Sequence, residues 1–320
     1  MMNEIIPENN NGILDSRLKI EYQLGYNHNS IIYLGRVSFY ENICVIKVFN
    51  MLCESIKKEK EFNDILLNSE SPFFIKYIPP PVNDFLSRYY ITFEYASKEN
   101  LVRYLSTVKG GFDETNCKLL SSKFLISLKA LHTIGICHRN IKPQNIFFDG
   151  EKFDLKIGNF AVSGFIRGND GKILQKGKVG TEEYMAPEVK RGKEYDGEKA
   201  DIYSAGVLLF TLLKGKIPFP NSKVFNVGNR TKQLYKYIKE KNEKKFWITL
   251  KKTGIDGFSP EFKDLFFKMV AFNPNERPTI EEILNHDWMK EITNLNQEDF
   301  RIYEEKLIEE LKSRERMLEM

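Results

Sequence analysis

Alternating hydrophobic and polar positions dominate the first hundred residues of the chain and predict β-strands. Four segments rich in Ile, Val, Tyr and Phe carry this pattern: LKIEYQLG, SIIYLGRVSFY, ICVIKVFN and RYYITFEYA. Between the third and the fourth, residues Ser55–Leu67 change to a helical period, with Phe62 and Leu66 on one face. Residues 17–96 are therefore predicted to form a small β-rich lobe that contains one helix.

Beyond Glu99 the apolar positions recur at helical spacing instead. One long segment repeats them on a single face, at Leu120, Phe124, Leu128 and Leu131. Helices are also predicted at about Ala200–Leu213 and Thr231–Lys241, and Ser or Thr cap positions open two more, in FSPEFKDLFFKMV and TIEEILNHDWM. Residues 97–290 are thus predicted to form a larger helical lobe, so the fold class is α+β with two lobes. The polar, Asn-rich residues 1–16 predict a disordered arm.

The last segment, 291–320, predicts a helical tail with its main helix at Gln297–Met320. The apolar stripe of this helix consists of Phe300, Tyr303, Leu307, Leu311 and Leu318. Two arrangements fit the stripe: packing against the chain's own large lobe, or a short coiled-coil seam for a partner or a second copy. Five basic residues against eight acidic ones argue against a calmodulin target, which is normally basic. Other proteins are the expected partners, with the 297–320 helix as one candidate contact.

Composition and charge limit the classes of partner that are expected. The 320 residues include 48 basic and 44 acidic side chains, and this net charge of +4 gives no ground for expecting nucleic acid or a membrane surface. No stretch approaches 18 apolar residues, and the four cysteines lack C-x-x-C spacing, which is typical of reduced thiols. A soluble, cytoplasmic protein is expected. The Lys-rich run Lys232–Lys245 predicts a solvated helix face, with a docking role as the alternative.

Six short motifs follow one another in a characteristic order. They are CVIK (44–47), ICHRNIKPQNIFF (136–148), IGNFA (157–161), GTEEYMAPE (180–188), DIYSAGV (201–207) and NPNERPT (273–279). Together they resemble the motifs of serine/threonine protein kinases, and the wording of the second half is most similar to calcium/calmodulin-dependent kinases. The resemblance covers about residues 18–290. It implies the two-lobed protein kinase fold and ATP as the nucleotide to consider.

The resemblance also implies roles for residues that hold such a fold together. Glu188 is expected to form a buried ion pair with Arg277, which attaches the activation segment to the helical lobe. Asp201 is expected to accept backbone hydrogen bonds from the turn at His138. The side chains of His138 and Phe160 are expected to stack in a hydrophobic spine that joins the lobes.

The activation segment, which lies between Asn159 and Glu188, offers few hydroxyl groups. Its hydroxyl side chains are Ser163, Thr181 and Tyr184. Thr181 matches a substrate-facing position of the family and, with Lys142, indicates serine/threonine ancestry. Arg139, which docks a phosphate in many such kinases, is therefore expected to have no obvious partner.

The catalytic positions depart from the family pattern. Asn140 stands where the resemblance places the general base, and losing a positioned base typically lowers the rate about 10²–10⁴-fold. Asn159 and Asn145 stand at the magnesium positions and offer neutral amide oxygens to a cation that favours carboxylates. The sequence therefore predicts a pseudokinase that scaffolds or regulates other proteins and binds no magnesium. An atypical active serine/threonine kinase and a nucleotide-sensing switch are the alternatives.

The phosphate-binding loop is also altered. The G-x-G-x-x-G-x-V template lies over the residues from Gly25 to Ile32, and only its first glycine is kept. Side chains at the other glycine positions restrict a close approach of backbone to phosphate. Lys47 is retained, and Glu61 is its expected partner on the small-lobe helix. If Phe62 faces inward instead, the pair is broken.

Bulky side chains are expected in the adenine slot. Val45 stands where the V-A-I-K motif has alanine, and Phe147 stands where leucine is expected beneath the base. Phe93 precedes the hinge, which runs from Glu94 to Ala96. Crowding between these side chains predicts either weak, metal-independent ATP binding or none.

Overall fold

A six-stranded antiparallel sheet forms the amino-terminal lobe of the computed structural model. Its strands are β1 (Ile13–Asp15), β2 (Leu18–Tyr26), β3 (Ser30–Val37), β4 (Tyr40–Phe49), β5 (Tyr77–Ile78) and β6 (Tyr90–Glu94), in the spatial order β1-β2-β3-β4-β6-β5. The structure describes residues 13–15, 18–26, 30–49, 54–79, 90–107, 110–168, 171–220 and 228–319. All four strands predicted from the alternating pattern are present. β3 and β4 bury many of their β-branched and aromatic side chains, whereas β2 is mostly exposed beyond Leu18.

The amino-terminal arm is shorter than predicted. Ile13–Asp15 forms a strand that pairs antiparallel with β2, Ile13 opposite Lys19 and Asp15 opposite Leu18. The prediction that residues 1–16 form a disordered arm was therefore wrong for this strand, because backbone groups at the sheet edge pair with it. Residues 1–12 lie outside the described residues.

One helix, α1 (Glu54–Asn68), completes the small lobe, as the helical period predicted. Phe62 and Leu66 are buried in the main hydrophobic core, while Ile56 packs in a smaller cluster beneath the sheet. The buried positions therefore recur at helical spacing along one face of α1.

The second lobe is built mainly from helices. They are α2 (Leu101–Leu105), α3 (Glu114–Thr133), α4 (Pro187–Lys190), α5 (Gly197–Lys214), α6 (Gly228–Lys239), α7 (Glu243–Lys251), α8 (Pro260–Met269), α9 (Ile280–Leu284), α10 (Asp287–Thr293) and α11 (Gln297–Glu319). The predicted stripe of α3 is buried throughout, since Leu120, Phe124, Leu128 and Leu131 are each 1% exposed or less. A large hydrophobic core around α3 and α5 therefore supports the site described below.

The segment TIEEILNHDWM forms two helices rather than the single one predicted. Thr279 and Glu282 form a capping box at the start of α9, as the cap position predicted. The chain then leaves the helix at Asn285, and the His286 ring accepts a hydrogen bond from the Trp288 amide at 3.2 Å, which starts α10. The side-chain cap thus divides the segment.

The tail helix α11 packs against the chain's own large lobe. Leu307 and Leu311 of the predicted stripe are buried, whereas Leu318 is 41% exposed. Lys98 of the hinge region forms an ion pair with Glu315 at 3.2 Å. Because its buried face is already covered, the stripe is not free to form the coiled-coil seam that was the alternative. Among the described residues, no helix is both long and apolar enough to cross a membrane.

Six short strands lie between α3 and α4 and carry the candidate site. They are β7 (Ile136–Cys137), β8 (Ile146–Asp149), β9 (Asp154–Ile157), β10 (Gly164–Phe165), β11 (Arg167–Gly168) and β12 (Gly171–Lys172). They pair as three antiparallel ribbons, β7 with β10, β8 with β9 and β11 with β12. The mixed α+β architecture with a β-sheet lobe and a helical lobe is the predicted fold.

Candidate functional site

A buried aspartate holds the loop that follows β7. Asp201, on α5, accepts hydrogen bonds from the backbone amides of His138 at 2.7 Å and Arg139 at 2.8 Å. Its Oδ2 atom also lies 2.9 Å from Nε2 of His132. Arg139 has a φ of +65°, a left-handed conformation that a non-glycine residue adopts only when its surroundings hold it there. The predicted role of Asp201 is confirmed.

Asn140, at the predicted base position, is held by hydrogen bonds on three sides. Its Oδ1 atom accepts from the Thr181 hydroxyl at 3.0 Å, and its backbone carbonyl accepts from the Asn145 side chain at 2.7 Å. Its backbone amide donates to Nδ1 of His138 at 3.2 Å. Burial lowers the pKa of His138, so this ring is neutral and its Nδ1 atom can accept. The side chain of Asn140 thus has a structural partner on the activation segment.

Asn145 and Asn159, at the predicted metal positions, contact each other directly. The Nδ2 atom of Asn159 donates to the Oδ1 atom of Asn145 at 3.1 Å. Asn145 is 3% exposed and uses its own Nδ2 on the Asn140 carbonyl, so its amide is engaged at both ends. Asn159 has a φ of +69°, a conformation that Asn tolerates better than most residues. The donor set here is neutral, and its one buried oxygen already accepts a hydrogen bond.

The predicted spine is present, but its His138 and Phe160 rings meet edge-on rather than stacked as expected. The ring centroids of His138 and Phe160 are 5.4 Å apart, and Phe74 contacts Phe160 edge-on at 5.9 Å. All three side chains are at most 2% exposed. The Nε2 atom of His138 lies 3.1 Å from the Gly158 carbonyl. This contact ties the catalytic loop, which is the ICHRNIKPQNIFF segment (136–148), to the IGNFA segment.

Lys47 pairs with Glu59, and the prediction of Glu61 was wrong. The Nζ atom of Lys47 lies 2.7 and 2.8 Å from the two carboxylate oxygens of Glu59, and both residues are buried. Glu61 is exposed, and Phe62 packs on Phe165 with a centroid distance of 4.9 Å. Glu59 precedes Phe62 by three residues, so both lie on the face of α1 that turns inward. The apolar stripe of α1 was therefore the sequence feature that could have indicated Glu59 as the partner of Lys47.

Four predicted nucleotide-site residues share one face of the sheet. Within β4, Val45 and Lys47 are two residues apart and so point to the same side. The register sets Val45 opposite Phe93 and Lys47 opposite Ile32, which extends that face across three strands. Val45, Phe93 and Ile32 are all half-buried. The structure therefore assembles this part of the predicted nucleotide surface.

Three other predicted nucleotide-site residues lie on β8, on β2 and at the hinge. Phe147 is half-buried on β8, with its ring 3.0 Å from where a side chain on Gly158 would begin. Open space surrounds the corresponding position of Gly25, and Ala96 is buried at the hinge. The predicted crowding between Val45 and Phe147 stays a prediction.

A charged network that was not predicted clamps the hinge. Lys156 donates to Glu94 and to Asp149, both at 2.9 Å, and Asp149 accepts from the backbone amide and the hydroxyl of Ser97 at 3.0 Å. Burial acts to lower the pKa of Lys156, but hydrogen bonds to the two carboxylates outweigh it and raise that pKa. Glu94 also accepts from the Lys76 amide at 2.9 Å. The sequence signal available for this network was the pair of acidic residues, Glu94 in the hinge and Asp149 on β8, together with the lysine on β9.

Arg139 has partners, contrary to expectation. Its guanidinium donates to the Tyr195 hydroxyl at 2.9 Å, to Oε1 of Gln175 at 3.2 Å and to the Lys176 carbonyl at 3.0 Å. Gln175 is 6% exposed and donates in turn to the Phe165 carbonyl at 2.7 Å. The guanidinium of Arg139, which was expected to lack an obvious partner, is therefore hydrogen-bonded to neutral acceptors.

Three further predicted residues complete the site. Arg277 and Glu188 form the predicted buried ion pair through two hydrogen bonds of 2.5 and 2.8 Å. Lys142 is half-buried beside Asn140 in the chain; burial lowers its pKa, and the charge of Glu183 opposes that shift. Position 140 carries no carboxylate, so the negative charge that acts on Lys142 comes from Glu183 of the activation segment.

Several proteins similar to this chain are named as kinases. A probable serine/threonine-protein kinase of Dictyostelium discoideum is 31% identical over 65% of this chain, and CBL-interacting protein kinase 30 of Oryza sativa subsp. japonica is 34% identical over 65%. CBL-interacting serine/threonine-protein kinase 13 of Arabidopsis thaliana is 28% identical over 87%. The chain spans 22%, 40% and 52% of the lengths of these three relatives.

A family model points to the same conclusion. The model described as "Protein kinase domain" matches residues 18–289, which include both lobes and every site residue discussed above. The fold, the intact Glu188–Arg277 pair and the Asp201 anchor agree with that match. The chain belongs to the protein kinase domain family.

Proposed function

We propose that this chain is a pseudokinase, a kinase-fold protein that binds other proteins and does not transfer phosphate. The observation that carries the proposal is the hydrogen bond from Nδ2 of Asn159 to Oδ1 of Asn145. A carboxylate at position 159 could not donate this bond. The side chain of Asn159 is thus hydrogen-bonded to that of Asn145, and the Oδ1 atom of Asn145 that a cation would need already accepts a hydrogen bond.

Magnesium does not fit this donor set. Mg²⁺ is a hard cation that favours carboxylate oxygens in near-ideal octahedral geometry. Asn145 and Asn159 carry no charge, and binding a cation there would break the 3.1 Å bond between them.

The base position supports the same proposal. The Oδ1 atom of Asn140 accepts from Thr181 at 3.0 Å, and a neutral amide oxygen has no useful affinity for a substrate proton. The loss of base and metal ligands acts on one transition state, so the two effects do not simply multiply. Either loss alone removes most of the activity expected of a kinase.

The intact scaffold supports a binding role. The Asp201 anchor and the Arg277–Glu188 pair hold the catalytic loop and the activation segment in a defined arrangement. Maintaining buried charges and a left-handed Arg139 costs free energy unless every partner is present. A surface held in shape without the catalytic groups is suited to recognition of other proteins.

A phosphotransfer assay tests the proposal. Purified protein is incubated with γ-labelled ATP, Mg²⁺ or Mn²⁺ and a generic basic peptide, alongside the Lys47→Arg variant, which keeps a cation opposite Glu59. Label transfer is expected to be the same for both proteins, at background. Transfer by the unaltered chain at about 1 s⁻¹ or more, the ordinary range for kinases, and its loss in Lys47→Arg would establish an atypical active kinase instead.

A nucleotide-sensing function is the second candidate, and the Lys47–Glu59 pair favours it. This buried pair, at 2.7 Å, presents a cation on the same sheet face as Val45 and Phe93. ATP that binds the folded state raises its melting temperature in proportion to RT ln(1 + [L]/Kd). A rise at millimolar ATP without metal, absent in Lys47→Arg, is the expected result. No shift at that concentration rejects this second function.

A further inference from the structure

Cationic side chains from two separate segments meet around two aromatic rings on the large lobe. The guanidinium carbon of Arg191 lies 4.6 Å from the ring centroid of Phe272, and Nζ of Lys239 lies 5.6 Å from the same centroid. Nζ of Lys190 lies 4.6 Å from the ring centroid of Tyr235 and donates to its hydroxyl. The turn that follows α4 and the helix α6 therefore present their positive charges side by side.

The charges continue along α6. Lys232 precedes Lys239 by seven residues, which is two helical turns, so both lie on the face that carries Tyr235. Lys232, Lys239 and Arg191 are exposed, and Lys190 is half-buried. These four residues, Lys190, Arg191, Lys232 and Lys239, are called the basic platform below.

The platform lacks nearby acidic partners among the described residues, where none of its four side chains has a carboxylate within ion-pair distance. The acids of the surrounding segments have other partners: Glu188 pairs with Arg277, Glu194 with Lys176, Glu240 with Lys236 and Glu276 with Lys241. Like charges held together repel one another. The net charge of the whole chain is only +4, so this cluster is a local concentration of charge.

We infer that the basic platform binds an acidic segment of a partner protein. Arg191 has its guanidinium carbon over the ring of Phe272, and the N–H groups of a guanidinium can bind a carboxylate in a bidentate manner. The lysines on either side supply further point charges along about two helical turns. The platform contains none of the catalytic positions, so the inference holds whether or not the chain transfers phosphate.

Nucleic acid is a poorer match than an acidic peptide. Proteins that bind single strands stack bases on free aromatic faces, whereas cations already lie over the rings of Tyr235 and Phe272. Nucleic-acid binding also draws on many phosphate contacts, of the order of 6–10. Four clustered cations provide fewer.

A binding titration tests the inference. Fluorescence anisotropy of a fluorescein-labelled peptide of alternating Glu and Ser is measured at low salt, without ATP or metal. The double variant Arg191→Glu/Lys239→Glu is expected to weaken binding by about tenfold or more, because like charges now face each other. The control Lys57→Glu/Lys58→Glu changes the net charge equally on an exposed part of α1, and a loss below about twofold is expected.

Three results would overturn the inference. One is an equal loss in the platform and control variants, which would indicate a non-specific effect of net charge. Another is the absence of saturable binding by the unaltered protein. The third is an RNA probe of equal charge that competes more strongly than the peptide. If charge reversal lowers the melting temperature, the neutral variant Arg191→Gln/Lys239→Gln replaces it in the titration. This variant is expected to weaken binding by an intermediate factor.

Discussion

The guanidinium of Arg139 lies 3.2 Å from Oε1 of Gln175, and the other end of the same amide donates to the Phe165 carbonyl at 2.7 Å. Gln175 therefore connects the catalytic loop to two points of the activation segment. A side chain on Gly164 would begin 1.9 Å from the Gln175 oxygen, so the glycine is required for this close approach. A neutral residue thus holds the activation segment at Arg139, the cation that docks a phosphate in many kinases.

Replacing Gln175 tests this connection. Gln175→Ala leaves one N–H of Arg139 and the Phe165 carbonyl without their partners, and each such loss typically costs about 1–3 kcal/mol. We expect the free energy of unfolding to fall by about 2–6 kcal/mol for the two losses together, measured by urea denaturation. Hydrogen exchange is expected to rise across residues 171–181. Leu174→Ala, at a neighbour that is 48% exposed, should change stability by less than about 0.5 kcal/mol. Equal effects of the two variants would contradict the connection.

The Lys47–Glu59 pair predicts a large loss of stability when one partner is removed. Lys47→Met leaves the Glu59 carboxylate buried and unpaired, which typically costs about 3–5 kcal/mol. Glu61→Gln, at an exposed position two residues later, should be nearly neutral. The double variant Lys47→Met/Glu59→Leu should recover most of the loss, because no buried charge remains. Thermal and urea unfolding measure all three variants. A larger loss for Glu61→Gln than for Lys47→Met would restore the original assignment of the partner.

The tail helix predicts a further stability effect through Arg314. This side chain is 3% exposed, donates to the carbonyls of Tyr104 at 2.8 Å and Gly111 at 3.0 Å, and lies 4.0 Å from the ring centroid of Phe112. Arg314→Ala is expected to lower the free energy of unfolding by about 2–4 kcal/mol, since buried carbonyls lose charged donors.

Arg316→Ala is the matched control, because Arg316 is exposed on the same helix. It should change stability by less than about 0.5 kcal/mol. Limited proteolysis near residues 104–111 should accelerate in Arg314→Ala alone. Matching stabilities for the two variants would show that the tail does not support the lobe.

Stability should depend on pH through His138. Burial lowers the pKa of this ring below its ordinary value of 6.5, partly opposed by the charge of Asp201 and the bond to the Gly158 carbonyl. Below about pH 6.5 the unfolded state therefore binds a proton that the folded state does not, and stability falls as the pH decreases. The melting temperature measured between pH 7.5 and 5.5 should decline, and His138→Phe should flatten the decline. The shifted carboxylates, such as Asp149, titrate below this window and do not mask the effect.

Much of the site could be predicted from local sequence. The motif order identified Asp201, Glu188 and Arg277, and the amide side chains at 140, 145 and 159 are visible directly. The tail helix could also be predicted, because an apolar stripe at helical spacing needs only neighbouring residues. Which of its two expected arrangements the helix adopts could not be predicted, since Glu315 meets Lys98 across 217 positions of sequence.

The sequence by itself determined the main strands and helices and the chemical identity of each catalytic position. Periodicity and amide chemistry are properties of residues close together in the chain, so no folded structure is needed to read them. The tertiary structure alone decided that Lys47 meets Glu59, that Gln175 meets Arg139, and that four cations meet on one surface. Those partners depend on how whole helices and strands rotate as they bury their apolar faces, and that rotation is set by packing across the entire core.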